Sequence, residues 1–178
     1  IIMEDQNLKV KNHILQYGAL LGGISVVFGL MLFSMDMHYQ NETSTTVVSL
    51  VLTMGVIAFA QYSYRKDNEG FMSFSRALKL GVGIGLISAI IYSPFFIVLT
   101  LVLDPDTISK SNEVEIEKLS EWSYVTDEIL ETTKTKMENT TKSRAIFNEC
   151  SKLIIGSIIT GFIISLITGL ILKRNRPE

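Results

Sequence analysis

The chain has 178 residues, 47% of them apolar, with 16 lysines and arginines against 18 aspartates and glutamates and a net charge of −2. So even a balance argues against nucleic acid as the main partner. The single cysteine, Cys150, excludes an intramolecular disulfide and any CxxC-type redox or zinc site.

The apolar residues are gathered in blocks, not spread at one period, and this points to a membrane protein. The opening Ile1-Ile2-Met3 reads as start-site choice, with Met3 as the initiator. Residues 1–13 are polar and mixed in charge, with Lys9, Lys11 and His13. The uncharged run Ile14–Met35 follows. It is too long for a signal-peptide core, no small-x-small site ends it, and no Arg-rich transit segment is visible. Gly18 and Gly22 have small-xxx-small spacing, which lets helices approach closely in a membrane. Gln16 and Tyr17 are expected at the interface, where polar tips reach water.

Asp36–Thr46 is a short connection without lysine or arginine. Val47–Tyr64 is the second apolar run, and Gln61, Tyr62 and Tyr64 at its end look like an aromatic belt. Gln61 is read as an interfacial residue, with a substrate ligand as the other reading. Arg65–Lys79 is basic. Asn68-Glu69-Gly70 is expected to turn there. Phe71, Phe74, Ala77 and Leu78 lie at helical spacing, as in a short amphipathic lead-in at the membrane surface capped by Ser73 or Ser75.

The third run, Leu80–Leu103, organises the rest of the chain. A bilayer core of roughly 30 Å takes about 20 apolar residues in a helix. This run exceeds that and has no ionisable group except the Tyr92 phenol. Gly81 and Gly85 form another small-xxx-small pair. Pro94 removes a backbone donor, so a kink is expected near Ile90–Tyr92, with Ser93 able to satisfy a freed carbonyl. Asp104-Pro105-Asp106 stops the helix, because a residue before proline avoids the α region.

From Ser111 to about Glu149 the chain is polar and net acidic. Ile116, Leu119, Trp122 or Tyr124, Ile129, Leu130 and Met137 recur at roughly helical intervals, and Glu138 and Lys142 are placed as an i,i+4 pair. One or two amphipathic helices are expected, with a break around Ser123–Thr126 or Thr132–Thr135. An insert this long carries function or serves as a spacer. Leu153–Leu172 is the fourth run. Gly156, Thr160, Gly161, Ser165 and Gly169 give it one face of small residues, and Lys173-Arg174-Asn175-Arg176 ends it.

The reading is therefore an all-α integral membrane protein in a single membrane domain, residues 1–178. Its spans are at about 14–35, 46–64, 79–103 and 152–172, with an extracytoplasmic helical insert at about 111–149 between the third and fourth. Lysines and arginines mark cytoplasmic connections. Both termini and Arg65–Lys79 are thus expected in the cytoplasm of a bacterial inner membrane, with Asp36–Thr46 and Asp104–Lys152 outside.

Along Gly70-Phe71-Met72-Ser73-Phe74-Ser75-Arg76-Ala77-Leu78-Lys79-Leu80-Gly81, and on to Asp104-Pro105-Asp106, the chain resembles the bacterial domain-of-unknown-function family 4199, found mainly in Bacteroidota. That family's pattern is Gly-aromatic-Leu-Ser-Phe-Gly-x-Ala-Phe-Lys-x-Gly before the third span, with Asp-Pro after it. Gly70, Phe71, Ser73, Phe74, Ala77, Lys79, Gly81, Asp104 and Pro105 match, while Met72, Ser75 and Leu78 depart. The resemblance covers nearly the whole chain. It implies a four-span bacterial membrane protein and carries no activity, cofactor or catalytic residue.

No residues form a recognisable catalytic, cofactor or metal motif. His13 and His38 have no second ligand at HExxH-type spacing, and there is no GxSxG elbow or P-loop. Gly81-Val82-Gly83-Ile84-Gly85 lies in a span and reads as packing. Glu113, Glu115 and Glu117 read as a solvated face, and Cys150 as a spectator. The expected function is a non-enzymatic interaction or scaffold protein in the lipid bilayer, working through residues 111–149 by a protein partner or self-association. The alternative is a small solute transporter or channel.

Overall fold

The computed structural model describes the backbone of residues 2–174 and the side chains of residues 7–174, so the start-site reading at Ile1 and the Asn175-Arg176 end of the basic tail lie outside the described residues. Six α-helices follow one another: α1 (Ile2–Ser34), α2 (Thr43–Asp67), α3 (Phe74–Val98), α4 (Thr107–Ser120), α5 (Asp127–Glu138) and α6 (Lys142–Leu172). A π-helical turn, Leu99–Leu103, prolongs α3. Among the described residues four helices are long and apolar enough to cross a membrane: Asn7–Ser34 of α1, α2, α3 with its π turn, and α6. Apolar side chains on every span, among them Val27, Val51, Phe59 and Ile171, are more than half exposed. Apolar surface distributed in this way is stable in hydrocarbon, not in water.

The helix ends differ from the expected span ends for local reasons. Nothing breaks the helix before Ile14, so α1 runs back through the polar residues and buries Val10 and His13. At α6 the helix begins at Lys142, eleven residues before the apolar run at Leu153. The insert is therefore α4 and α5 alone, broken at 121–126, the first of the two expected positions, while Thr132–Thr135 lies within α5. Glu138 and Lys142 consequently end one helix and begin the next. They form no i,i+4 pair, and Lys142 donates to the Pro105 carbonyl at 2.9 Å.

Residues 68–70 turn as expected. Glu69 and Gly70 have φ of 57° and 84°, and Asn68 Nδ2 closes the turn on the Phe71 carbonyl at 2.7 Å. The amphipathic lead-in is not a separate surface helix. Met72 instead pairs in an antiparallel bridge with Arg174, through two 2.9 Å backbone hydrogen bonds, and Ser73 stands at the N-cap of α3. Extended backbone at Met72 clamps the chain end after α6 to the start of α3, and α3 then runs straight into the membrane.

Pro94 lies inside α3, which continues past it to Val98. The Ser93 hydroxyl donates to the Ala89 carbonyl at 2.7 Å, one residue before the Ile90 carbonyl that Pro94 leaves without its amide. Beyond it the helix widens into the π turn, where the Thr100 hydroxyl reaches the Phe96 and Ile97 carbonyls at 2.9 and 3.2 Å. Asp104 then leaves the α region, with φ and ψ of −139° and 88°, as the following proline requires.

Helix α3 is the centre of the bundle, packed between α1 and α6. In a bilayer, burying apolar surface between helices gains little over lipid, so close approach of small residues decides who packs on whom. A Cβ on Gly81 or Gly85 would strike the Gly161 or Ser157 carbonyl of α6, and one on Gly161 would strike the Gly81 carbonyl. On the other side Gly83 receives Ile14 of α1, while Gly18 and Gly22 of α1 receive Ile87 and Ile91. Gly161, Ser165 and Gly169 face α3 as the small-residue face predicts, but Gly156 does not, since a Cβ there meets nothing within 4 Å.

Candidate functional site

Helix α2 packs only with its later half. Ile57, Ala60, Gln61 and Tyr64 are buried, whereas from Thr43 to Gly55 no residue is buried and only Thr45 and Thr53 are half-buried. Two grooves result. One, apolar and of about 580 Å³, separates α2 from α1 and is lined by Leu20, Gly23, Val27 and Leu52. The other is a cleft of about 540 Å³ bounded by all four spans. Its walls carry Leu21, Phe28 and Leu153 beside the hydroxyls of Thr53, Ser88 and Thr160. His38, Asn41, Glu149 and Lys152 line its far end.

The floor lies below this cleft, where α2 rejoins α3 and α6. Gln61 is fully buried there and its Nε2 donates to the Ala77 carbonyl at 3.2 Å and to Ser165 Oγ at 3.0 Å. Gln61 is therefore not interfacial but a bridge among three helices, placed by tertiary packing. Tyr64 and Tyr17 are likewise removed from the expected belt. Both are buried around His13, whose ring stacks on Tyr17 at 5.9 Å and meets Tyr64 edge-on at 5.5 Å. Gln16 and Tyr62 are exposed, as expected. Both His13 nitrogens face acceptor oxygens, Nδ1 the Lys9 carbonyl at 2.8 Å and Nε2 the Asp67 carboxylate at 3.2 Å.

At the opposite end His38, in the α1–α2 connection, meets Asp104 across 66 positions of sequence. Its Nε2 lies 3.0 Å from Asp104 Oδ2 and 3.2 Å from Thr107 Oγ1. Its side chain is 4% exposed, and Nδ1 has no hydrogen-bond partner among the described residues. The carboxylate accepts, so Nε2 carries a proton. Lys110 Nζ binds the same Asp104 oxygen at 2.8 Å and lies 5.2 Å from the centre of the Tyr39 ring. The Lys110 hydrogen bond holds the Asp104 carboxyl below the usual range, aided by the Asp106 amide and His38 and opposed by partial burial. The same bond raises the Lys110 ammonium. Helix α4 is thus tied down at its start, and Lys118 fastens its end to the Gln40 and Asn41 carbonyls.

Helix α5 differs. It buries no residue, and the Thr126 hydroxyl caps it by accepting the Ile129 amide at 3.4 Å. Trp122 and Tyr124, in the break before it, lie with ring centres 5.5 Å apart and planes tilted by 37°, and are 50% and 72% exposed. Glu113, Glu115 and Glu117 are exposed on α4, and Cys150 is half-buried in the first third of α6. Among the described residues no group of three metal-ligating side chains comes together. Sequence reasoning missed the His38–Asp104 and Gln61–Ser165 pairs. The only signals were a buried-type amide in a span and an Asp-Pro stop, and neither names its partner.

The fold and these two ends define a multi-pass bacterial membrane protein, a four-span bundle with an extra helical pair between the third and fourth spans. The chain belongs to the family described as Protein of unknown function (DUF4199), which matches residues 16–174. No curated protein and no solved structure matches it.

Proposed function

We propose that the protein is a non-enzymatic interaction module of the bacterial cytoplasmic membrane, acting through the outer α4–α5 hairpin on a protein partner or a second copy. The observation that carries this reading is an amphipathic helix, α5, without a buried residue, joined to an exposed Trp122–Tyr124 pair in ring contact. Exposed aromatics beside a firmly anchored helix are the side chains that dominate binding energy at interfaces. A photoreactive residue in place of Tyr124 is expected to give a discrete protein adduct in native membranes. One at Val27, on the lipid-facing side of α1, is expected to give none. Adducts equal at both positions, or absent at 124, would sink the reading.

In this reading both termini and the Arg65–Lys79 connection are cytoplasmic. Arg65 and Arg174 gather at that end, Arg65 bonded to the Gly70 carbonyl and Arg174 lying over the Phe71 ring. At the other end the connection between α1 and α2 carries no lysine or arginine at all. On a Cys150→Ser background, a membrane-impermeant maleimide is expected to label Tyr124→Cys but not Lys66→Cys in spheroplasts. The reverse pattern would invert the topology.

The cleft favours a second reading, a small solute transporter or channel, because hydroxyl-lined space between spans is where such proteins bind their cargo. Flux in reconstituted vesicles that disappears on Pro94→Ala is the corresponding test.

A further inference from the structure

The cleft between α2 and α6 has three properties that together specify an occupant. It is a cavity of about 540 Å³ at the depth of the spans, so it holds something the size of a lipid segment. Its lining is divided: apolar and hydroxyl side chains along the spans, ionic and amide groups at one end only. And α2 stands away from the bundle over Thr43–Gly55, which leaves the cavity open sideways to the hydrocarbon. A water-soluble solute has no use for a lateral opening, whereas a molecule already dissolved in the bilayer enters through it.

The polar end defines the head group. Glu149 and Lys152, 2.7 Å apart on α6, set an anion beside a cation. An ammonium group suits the Glu149 carboxylate, and a phosphate suits the Lys152 ammonium. A purely anionic head leaves Glu149 opposed to it.

We propose that this cleft binds a zwitterionic phospholipid of the ammonium–phosphate type, its head at Glu149 and Lys152 and one chain between α2 and α6. Gly156 supplies the decisive probe. It faces open space, so a large side chain there fills the cleft without touching the α3–α6 contact. Gly23 faces the separate apolar groove between α1 and α2 and serves as the control.

The test uses the full chain in detergent and native mass spectrometry, titrating phosphatidylethanolamine, phosphatidylglycerol and free phosphoethanolamine. Phosphatidylethanolamine is expected to bind one per chain, at least tenfold tighter than phosphatidylglycerol, with free phosphoethanolamine binding undetectably. Gly156→Trp should weaken binding at least tenfold and Gly23→Trp should leave it unchanged. Lys152→Gln and Glu149→Gln probe the head site without filling the cleft. If Gly156→Trp does not fold, a fivefold or greater loss in both of these carries the proposal, and unchanged binding in both overturns it. Binding by Gly156→Trp equal to the native chain overturns the site, and equal affinity for the two lipids overturns the head-group assignment. Free phosphoethanolamine binding as tightly as the lipid overturns the amphiphile and leaves a soluble solute.

Discussion

Gln61 of α2 and Ser165 of α6, 104 positions apart, meet at 3.0 Å inside the bundle, at the level where Gln61 also reaches the Ala77 carbonyl of α3. The amide joins the packed Ile57, Ala60 and Tyr64 in tying the later half of α2 to the other helices, just below the point where its earlier half departs. Hydrogen bonds between membrane helices couple by about 0.6 kcal/mol on average and reach ~1.7 kcal/mol. A double-mutant cycle of Gln61→Leu and Ser165→Ala, read by reversible unfolding in detergent–lipid mixtures, is expected to give a coupling in that range. A coupling of zero would show that the contact does not hold the helices together.

Glycines on one helix should divide sharply. Gly161→Ala pushes a methyl into the Gly81 carbonyl, backbone against backbone, with no side chain able to yield. Overpacking of that kind costs about 1–3 kcal/mol. Gly156→Ala on the same helix meets nothing, so only the helix propensity changes, by roughly 0.5–1 kcal/mol in the stabilising direction. Thermal unfolding of the two variants should move in opposite directions.

The Asp104–Lys110 pair implies a definite pH dependence. Asp104 is depressed in the folded protein, so its contribution is complete above the unfolded carboxylate value, near ~3.9, and is lost as pH falls through the lower folded value. Lys110 is raised, so its contribution is complete below the unfolded value, near ~10.4, and is lost as pH climbs through the higher folded value. Between these limits the pair contributes a plateau. Melting of the native chain and of Asp104→Asn is expected to differ by a constant amount at neutral pH, with the gap closing below about pH 4. A gap that persists in acid would assign Asp104 a role other than its charge.

Gly70, with φ of 84° and open space where a Cβ would stand, isolates a backbone effect. Left-handed backbone costs an L residue roughly 1–2 kcal/mol. Gly70→Ala is therefore expected to destabilise by about that much with no change in packing, as measured by unfolding. A neutral result would mean that the turn rearranges.

The sequence alone determined the membrane class, four spans, their approximate limits, the 68–70 turn, the Asp104 stop and a helical insert with one break. Each of these follows from local physics: the length of apolar runs against bilayer thickness, the permissiveness of glycine, and the restriction before proline. It also supplied the family through the motif around Gly70–Gly81. The sequence did not reveal that α3 is central, because small residues occur on three spans and spacing does not say which pair will touch. Only the assembled bundle sorted Gly81, Gly85 and Gly161 into contacts and left Gly23 and Gly156 open. The same holds for Gln61, Tyr17 and Tyr64, polar tips near span ends that local reasoning sends to the interface and tertiary packing buries. The cleft is the clearest case. It arises where α2 does not pack, and the absence of a contact is written in no residue; it exists only when four helices are placed together in space.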